Sequence, residues 1–409
     1  MLRRGQKASE NKAPRPRILF WKKEVDVTRL NRWNSGSSKK VLSSLLQGEP
    51  DQPKEHLFPA LDAEGQPKEY LVQVSKPGQA KKTYRRVYLK QSYAEYPSEK
   101  HPDVRHFATH EPKFFDFGGE SQVYLSDAKV KLAPKGDGDF EVTYKKQKPE
   151  SKRVVKEFNI VKDAKGQVYD TRPLGAKAER EYSFLRQMSF GAKKPAVSAD
   201  QQHAALVMPY VAGKSLFELL GEDEGYDKSG VYVGGGNIFT LEQRLTLTEL
   251  IAEAILNMHD RGIIHGDIKP DNFIVLLDED GNPIAVTAVD FGHANVIGEQ
   301  DPKKILSGGG SFDDRVDYRA QEVIARRRRD VKSDAFSLAV MLEADIWQNL
   351  ENPKHHALST SQKDRIKDIL KQGVVENQQG RASVDDIRKV FSDIKQELKS
   401  GPQSRFNIA

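Results

Sequence analysis

The chain has 409 residues, of which 37% are hydrophobic and 30% are charged, so it is long enough for two domains with a highly charged surface. Its formal net charge of +6 is modest for this length, and no run approaches the roughly 18 apolar residues of a membrane-spanning helix. The absence of cysteine excludes disulfide bonds and thiolate metal sites.

The amino-terminal region, residues 1–112, is predicted to be a basic, partly structured extension. It is polar and rich in proline, and it contains two short strand-like segments, Tyr70–Val74 and Arg86–Leu89. The apolar segment Ile18–Trp21 is too short for the core of a signal peptide. We therefore expect a soluble, cytoplasmic protein.

Residues 113–207 are predicted to form a strand-rich lobe. Apolar and polar residues alternate along several short segments, and a helical spacing of Tyr182, Leu185 and Met188 follows them. The predicted elements are strands at 122–132, 140–144, 153–160 and 167–169 and a helix at 176–188.

Residues 208–398 are predicted to form a mainly helical lobe, with residues 399–409 as a flexible tail. Two apolar runs, 273–277 and 284–289, are joined by an Asp-Gly-Asn-Pro turn and predict a hairpin. Helices are predicted at 241–259, 335–342, 363–371 and 383–398. A strand-rich lobe followed by a helical lobe makes an α+β, two-lobed architecture.

Polar motifs lie at both ends of the predicted hairpin. His265-Gly-Asp267-Ile-Lys269-Pro-Asp-Asn272 precedes it, and Asp290-Phe-Gly follows it. In phosphoryl transfer a protein mainly positions groups and neutralises charge. Asp267 can accept the proton of an incoming hydroxyl and Lys269 can reach the transferred phosphate, whereas Asn272 and Asp290 offer the hard oxygen ligands that magnesium prefers. These motifs predict an ATP-dependent phosphotransferase.

With these motifs, residues 113–398 resemble the protein kinase superfamily, which implies a two-lobed kinase fold preceded by the extension. Lys156, in Val-Val-Lys, matches the family's strand lysine that holds the α- and β-phosphates of ATP. Glu181 matches the helix glutamate that pairs with this lysine, and Glu179 is the alternative partner.

The resemblance also implies where the nucleotide binds. Residues 206–211 look like the hinge between the lobes, where the carbonyl of Pro209 and the amide of Val211 would bind adenine and Met208 would gate the pocket. The implied cofactors are ATP and magnesium, with manganese as an alternative metal.

Two segments compete for the glycine-rich loop over the phosphates. Gly136 and Gly138 lie at the usual distance before Lys156, although two aspartates accompany them and Glu141 replaces the third glycine. The rival segment, 118–124, requires an inserted hairpin before the lysine strand. The sequence favours Gly136 and Gly138.

Further motifs follow in the order typical of protein kinases. Residues 318–322 resemble the end of the activation segment, Asp334 resembles the residue that anchors the catalytic loop, and Arg381 is placed to pair with Glu322. Small-molecule kinases should lack this series, so the resemblance implies a Ser/Thr protein kinase with a protein substrate. A small-molecule or lipid kinase and a pseudokinase scaffold are the alternatives.

The chain departs from the family at Gly266, where an arginine usually precedes the catalytic aspartate and binds a phosphorylated activation segment. We therefore expect that no such phosphorylation is required. The stretch between Asp334 and Arg381 is also short, so a helix that docks protein substrates can be missing. Both departures resemble effector kinases that bacteria secrete into host cells.

Basic residues cluster at 81–86, 145–156 and 326–329. One interpretation is a solvated surface. The other is a polyanion site that regulates the kinase, with an inositol phosphate or an anionic lipid favoured over nucleic acid.

Overall fold

The computed structural model describes residues 55–73, 84–98, 100–111, 116–117, 121–126, 128–136, 139–148, 151–158, 160, 172–221, 225–226, 232–233, 239–299, 318–324, 329–348, 350 and 357–400. The predicted strand at 167–169, Gly138 and most of the predicted tail lie outside these residues.

The amino-terminal half of the described chain consists mainly of short antiparallel strands. In chain order they are β1 (Leu57–Phe58), β2 (Glu69–Gln73), β3 (Tyr84–Tyr88), β4 (Ser92–Tyr96), β5 (Arg105–His110), β6 (Asp116–Phe117), β7 (Ser121–Leu125), β8 (Ala128–Gly136), β9 (Asp139–Lys146), β10 (Arg153–Phe158), β11 (Ala196–Val197) and β12 (Ala204–Pro209).

These strands form two five-stranded sheets and a separate hairpin. The first sheet has the order β1-β4-β5-β8-β9, and the second has the order β6-β7-β10-β12-β11. Strands β2 and β3 pair with each other, so both strand-like segments of the extension are confirmed as strands.

The two sheets pack face to face. Side chains alternate along β10, so Val155 and Glu157 face one side of the second sheet while Lys156 faces the other. Val155 is buried in a cluster with residues of β4 and β5, and Glu157 Oε1 lies 2.8 Å from His110 Nε2 of β5. The first sheet therefore covers one face of the second sheet and leaves Lys156 on the opposite face.

The predicted domain boundary at residue 112 runs through the first sheet, because β1, β4 and β5 precede it whereas β8 and β9 follow it. The predicted strand at 122–132 is also divided into β7 and β8, which lie in different sheets. Alternation of apolar and polar residues is a local signal, and it does not specify which sheet a strand joins.

The carboxy-terminal half is mainly helical, as predicted. The first described helix, α1 (Leu174–Gln187), still lies between the strands β10 and β11. The helices that follow are α2 (Leu216–Gly221), α3 (Leu241–His259), α4 (Gln321–Ile324), α5 (Val331–Met341), α6 (Thr360–Gly373) and α7 (Val384–Ser400). Capping boxes at Thr240, Asp330 and Ser359 begin α3, α5 and α6, because each side chain satisfies a backbone amide of the first turn.

The remaining strands are short, and two of them carry the catalytic motifs. They are β13 (Lys214–Ser215), β14 (Gly225–Tyr226), β15 (Tyr232–Val233), β16 (Ile263–Ile264), β17 (Phe273–Leu277), β18 (Pro283–Ala288) and β19 (Asn295–Val296). Strands β17 and β18 form the predicted hairpin. One buried cluster joins α1 and β12 to Phe273 of β17, Phe291 and the helices α3, α5, α6 and α7. The structure thus confirms the α+β, two-lobed fold. None of the described helices is both long enough and apolar enough to span a bilayer.

Candidate active site

Lys156 links the two halves of the structure. Its Nζ lies 2.8 Å from both carboxylate oxygens of Glu181 on α1, and 2.8 Å from Oδ1 of Asp290 after β18. The exposed fractions of Lys156 and Glu181 are 5% and 2%. Removing one member of a buried ion pair typically costs about 3–5 kcal/mol. The sequence therefore predicted the correct pairing, and the alternative partner Glu179 is not needed.

The backbone of Asp290 is in the left-handed region, with φ 62° and ψ 78°, which is uncommon for a residue other than glycine. This conformation directs Oδ1 toward Lys156 and toward the amide of Gly292, which donates to it at 3.1 Å. Burial alone would raise the pKa of Asp290, but the contact with Lys156 outweighs burial and holds the pKa well below its usual range. Asp290 is therefore ionised, as a metal ligand must be.

Asp267 and Asn272 are joined in the loop that precedes β17. The Asn272 side-chain amide donates to the Asp267 backbone carbonyl at 2.7 Å and to Asp267 Oδ2 at 2.9 Å. Lys269 Nζ lies 3.5 Å from the same Oδ2. Burial would raise the pKa of Asp267, but the positive charges of His293 and Lys269 outweigh it and lower the pKa. Asp267 is thus a carboxylate, available to accept a proton.

Asp334 of α5 contacts the backbone of this loop. Its carboxylate accepts hydrogen bonds of 2.9 Å from the backbone amides of His265 and Gly266 and lies 2.9 Å from His259 Nε2. The ring of His265 is fully buried, and its Nε2 donates to the Val289 carbonyl at 3.0 Å. One aspartate and one histidine thereby connect the Asp267 loop to the strand end that carries Asp290. The predicted anchoring role of Asp334 is confirmed.

Gly266 faces a residue whose role the sequence did not reveal. Its φ is +75°, and a Cβ built on it would lie 2.6 Å from Arg329 Nη1 and 2.8 Å from the His293 carbonyl oxygen. Arg329 is 4% exposed, and its Nη1 donates to that carbonyl at 3.1 Å. A buried guanidinium from another segment therefore lies beside the catalytic loop where this chain lacks an arginine. The surrounding basic run gave no sign that Arg329 is buried.

Glu322 and Arg381 form the second predicted pair. Arg381 Nη1 lies 2.6 Å from Glu322 Oε1, and the Arg381 side chain is completely buried. The same guanidinium donates to the carbonyls of Val375, Lys332 and Glu376 at 2.8–3.2 Å. This pair fixes the end of the activation segment against the helices.

The predicted hinge residues lie at the end of β12, the strand that pairs with the Lys156 strand. Met208 and Pro209 are the last residues of β12, pair with β10, and are half-buried, as is Val211. The Tyr210 amide donates to the Lys152 carbonyl at 3.0 Å, which connects the hinge to the start of the lysine strand. Their adenine contacts stay a prediction.

The preferred glycine-rich loop requires a correction. Gly136 pairs with Asp139 at the tip of the β8–β9 hairpin, in the first sheet, whereas Lys156 lies in the second sheet. The strands next to Lys156 are instead β7, where Val123 pairs with it, and β6 at the sheet edge. Residues 118–120, which join β6 to β7, lie outside the described residues, as does Gly138. The topology therefore favours the rival segment, with β8 and β9 as the inserted hairpin.

Comparison with known proteins bears on the same region. A family model described as "Protein kinase domain" matches residues 131–409. The chain is 30% identical over 139 residues to "Serine/threonine-protein kinase pkn2" of Myxococcus xanthus, covering 34% of this chain and 15% of that protein. It is 33% identical over 120 residues to "Ribosomal protein S6 kinase alpha-6" of Danio rerio, covering 27% and 15%. It is 28% identical over 196 residues to "Probable serine/threonine-protein kinase kinY" of Dictyostelium discoideum, covering 44% and 30%. Each match thus spans less than a third of the relative's length.

Proposed function

The chain belongs to the protein kinase family, and from this premise we propose that it transfers the γ-phosphate of ATP to serine and threonine side chains of proteins. The observation that carries the proposal is the buried contact of Lys156 with both Glu181 and Asp290 at 2.8 Å. It joins a strand, a helix and the metal-binding tripeptide in one arrangement, next to a catalytic loop with an ionised aspartate.

The transfer follows from the positions of the side chains. Asp267 orients the acceptor hydroxyl and takes its proton while the hydroxyl oxygen bonds to the γ-phosphorus and the bond to the β-phosphate oxygen breaks, releasing ADP. Lys269, 3.5 Å from the same carboxylate, stabilises negative charge on the transferred phosphate. Lys156 holds the α- and β-phosphates, and Glu181 keeps it in place. Met208, Pro209 and Val211 would surround the adenine.

The donor set fits magnesium. Asn272 uses its amide nitrogen for both contacts with Asp267, which leaves its amide oxygen for a metal ion. Asp290 accepts from Lys156 and Gly292 through Oδ1, which leaves Oδ2. Two hard oxygens from the protein, with phosphate oxygens and water, suit the octahedral shell of magnesium. The ion would supply charge neutralisation at the phosphates. We assign Gly118 and Gly119, in place of Gly136 and Gly138, to the glycine-rich loop that covers the phosphates of ATP.

Product analysis tests the choice of acceptor. The full chain, a generic basic protein and γ-labelled ATP are incubated with magnesium, and the protein is then hydrolysed to amino acids. We expect labelled phosphoserine and phosphothreonine, loss of label in Asp290→Ala, and normal labelling in Asp280→Ala, an exposed aspartate of the β17–β18 turn. Label found in small molecules or lipids alone, or nucleotide binding with no transfer, would contradict the proposal and favour the small-molecule kinase or the pseudokinase scaffold.

We extend the proposal to regulation by a polyanion, an inositol phosphate or an anionic lipid, at the basic residues between positions 145 and 156. Its support is the run from residue 145 to residue 156, which holds six basic residues and one acidic residue. A role as a secreted effector in the host cytoplasm is supported by Gly266 and by the short stretch between Asp334 and Arg381. A translocation reporter fused to the chain tests it, and failure to enter host cells from the producing bacterium would contradict it.

A further inference from the structure

A cluster of cations lies at the seam where the two five-stranded sheets meet. Across the first sheet, Tyr96 of β4 pairs with His106 of β5, and His106 pairs with Lys131 of β8. Lys129 of β8, two residues from Lys131 and hence on the same face, pairs with Lys145 of β9. From the second sheet, the Arg153 guanidinium lies 5.1 Å from the centre of the Tyr96 ring. We call these six residues the seam cluster.

Three polar atoms of the seam cluster are buried and have no hydrogen-bond partner among the described residues. They are the hydroxyl of Tyr96, Nδ1 of His106 and Nη1 of Arg153. The exposed fractions of Tyr96 and His106 are 4% and 8%, so bulk water has little access to these two side chains. Burying a polar group without a partner destabilises the fold, and three such atoms together are uncommon. The Tyr96 hydroxyl and Arg153 Nη1 are hydrogen-bond donors, so an acceptor that enters the seam would give them partners.

The charges around these atoms have one sign. Lys129 Nζ lies 5.8 Å from the centre of the Tyr96 ring, which Arg153 also contacts, and the Tyr96 and His106 rings stack at 5.6 Å. Burial, and after it the neighbouring Lys129, Lys131, His101 and Arg153, together lower the pKa of His106 to about 4. Burial and then Arg153 and Lys145 lower the pKa of Lys129. The cations therefore repel one another, and an anion would relieve that repulsion.

The spacing of the lysines limits the size of this anion. Lys129, Lys131 and Lys145 lie on two adjacent strands, so their Cα atoms fall within roughly 8 Å of one another. We propose that the seam cluster binds a compact ligand that carries several phosphate groups, such as an inositol polyphosphate, either free or as the headgroup of a lipid. A nucleic acid strand would need a longer track of cations than this footprint provides.

The site lies next to the catalytic elements. Arg153 pairs with Pro209 of the hinge and is three residues before Lys156 on the same strand. A phosphate held by Arg153 would therefore stiffen both the hinge and the strand that carries the catalytic lysine. This inference deepens the proposed regulation and rests on the proposed function for its effect on catalysis. Binding itself does not depend on phosphotransfer.

Titration calorimetry of the full chain with inositol hexakisphosphate tests the site. A non-hydrolysable ATP analogue and excess magnesium keep the nucleotide site filled. The variants are Lys131→Glu and Lys145→Glu. The control is Lys146→Glu, which is also exposed but points to the opposite face of β9. We expect each seam variant to bind about 10-fold to 30-fold more weakly, and the control to bind as the wild type does. Unchanged melting temperatures without ligand show that the variants fold.

Two further arms complete the experiment. Vesicles of phosphatidylcholine with phosphatidylinositol bisphosphate, with or without competing inositol hexakisphosphate, distinguish a lipid headgroup from a free ligand. Either source supports the site if Lys145→Glu weakens binding by the expected factor and Lys146→Glu does not. The proposal would be overturned if neither the inositol phosphate nor the lipid vesicles bind, or if all three variants weaken binding equally. It would also be overturned if the chain prefers an oligonucleotide over the inositol phosphate. Because the readout is heat of binding, loss of this site and absence of kinase activity are distinguishable.

Discussion

Replacing Gly266 with alanine should disable the catalytic loop. An L-residue at φ +75° costs roughly 1–2 kcal/mol, because its Cβ approaches the backbone. The new Cβ would also lie 2.8 Å from the His293 carbonyl oxygen and 2.6 Å from Arg329 Nη1. Overpacking of this kind typically costs about 1–3 kcal/mol, so the free energy of unfolding should fall by about 2–5 kcal/mol.

The effect on catalysis follows from the position of this residue. Gly266 immediately precedes Asp267, and its amide donates to Asp334 Oδ1 at 2.9 Å. A shift of about 1 Å in a catalytic group can reduce the rate by roughly 100-fold. We therefore expect kcat to fall by about that factor, with a smaller change in the KM for ATP. Gly266→Arg, which introduces the family's usual residue, should be at least as damaging because the space is already occupied by Arg329.

Gly281→Ala is the matched control. Its φ is +79°, but no atom lies within 4 Å of a Cβ built there, so the substitution adds the backbone cost alone. Urea denaturation and steady-state kinetics of both variants provide the measurement. If Gly266→Ala matches Gly281→Ala in both stability and kcat, the steric account of the loop is wrong.

Three further outcomes are expected. Arg381→Met should lower the free energy of unfolding by about 3–5 kcal/mol because it leaves Glu322 buried without an opposite charge. Arg388→Met, in the half-exposed pair with Asp385, should cost less than about 1 kcal/mol in urea denaturation. Lys156→Met should reduce phosphotransfer by at least about 100-fold while the fold persists, and retained activity would refute its role at the phosphates. Stability of the wild type should fall as the pH drops from 6.5 to about 4, by up to about 3 kcal/mol, because His106 stays neutral when folded but takes a proton when unfolded. His106→Gln should flatten this part of the pH profile, and an unchanged slope would contradict the lowered pKa of folded His106.

The contacts among the proposed catalytic residues could be predicted because their sequence pattern is local. Asp267, Lys269 and Asn272 lie within six residues, and the loop that holds them closes on itself through the Asn272 amide. Lys156 and Glu181 are farther apart, but each sits on an element whose type the pattern specified. The anchoring residue Asp334 and the Glu322–Arg381 pair were found through their order along the chain, and the structure confirms both sets of contacts.

The arrangement of the sheets could not be predicted in the same way. Residues 128–146 alternate as a hairpin should, yet the same alternation suits either sheet, and the choice depends on pairing with β5. The position of the glycine-rich loop depends on that choice, and the pairing of β7 with the Lys156 strand favours the rival segment over Gly136. The burial of Arg329 beside Gly266 depends on a contact between residues 63 positions apart, which no local pattern reveals. Basic residues that look like a solvated surface in the sequence prove to differ: Arg329 is buried, whereas Lys145 is exposed.

The most direct test of the central claim is single-turnover transfer of labelled γ-phosphate by Asp267→Asn, with ATP affinity measured on the same preparation. We expect transfer to fall by about 100-fold to 10,000-fold relative to the wild type, because a positioned general base contributes a factor of this size. ATP affinity should stay within about threefold, because Lys156, Asn272 and Asp290 are unchanged. Equal transfer by the variant and the wild type would contradict the assignment of Asp267, and absence of transfer by the wild type despite tight nucleotide binding would contradict the proposed activity itself.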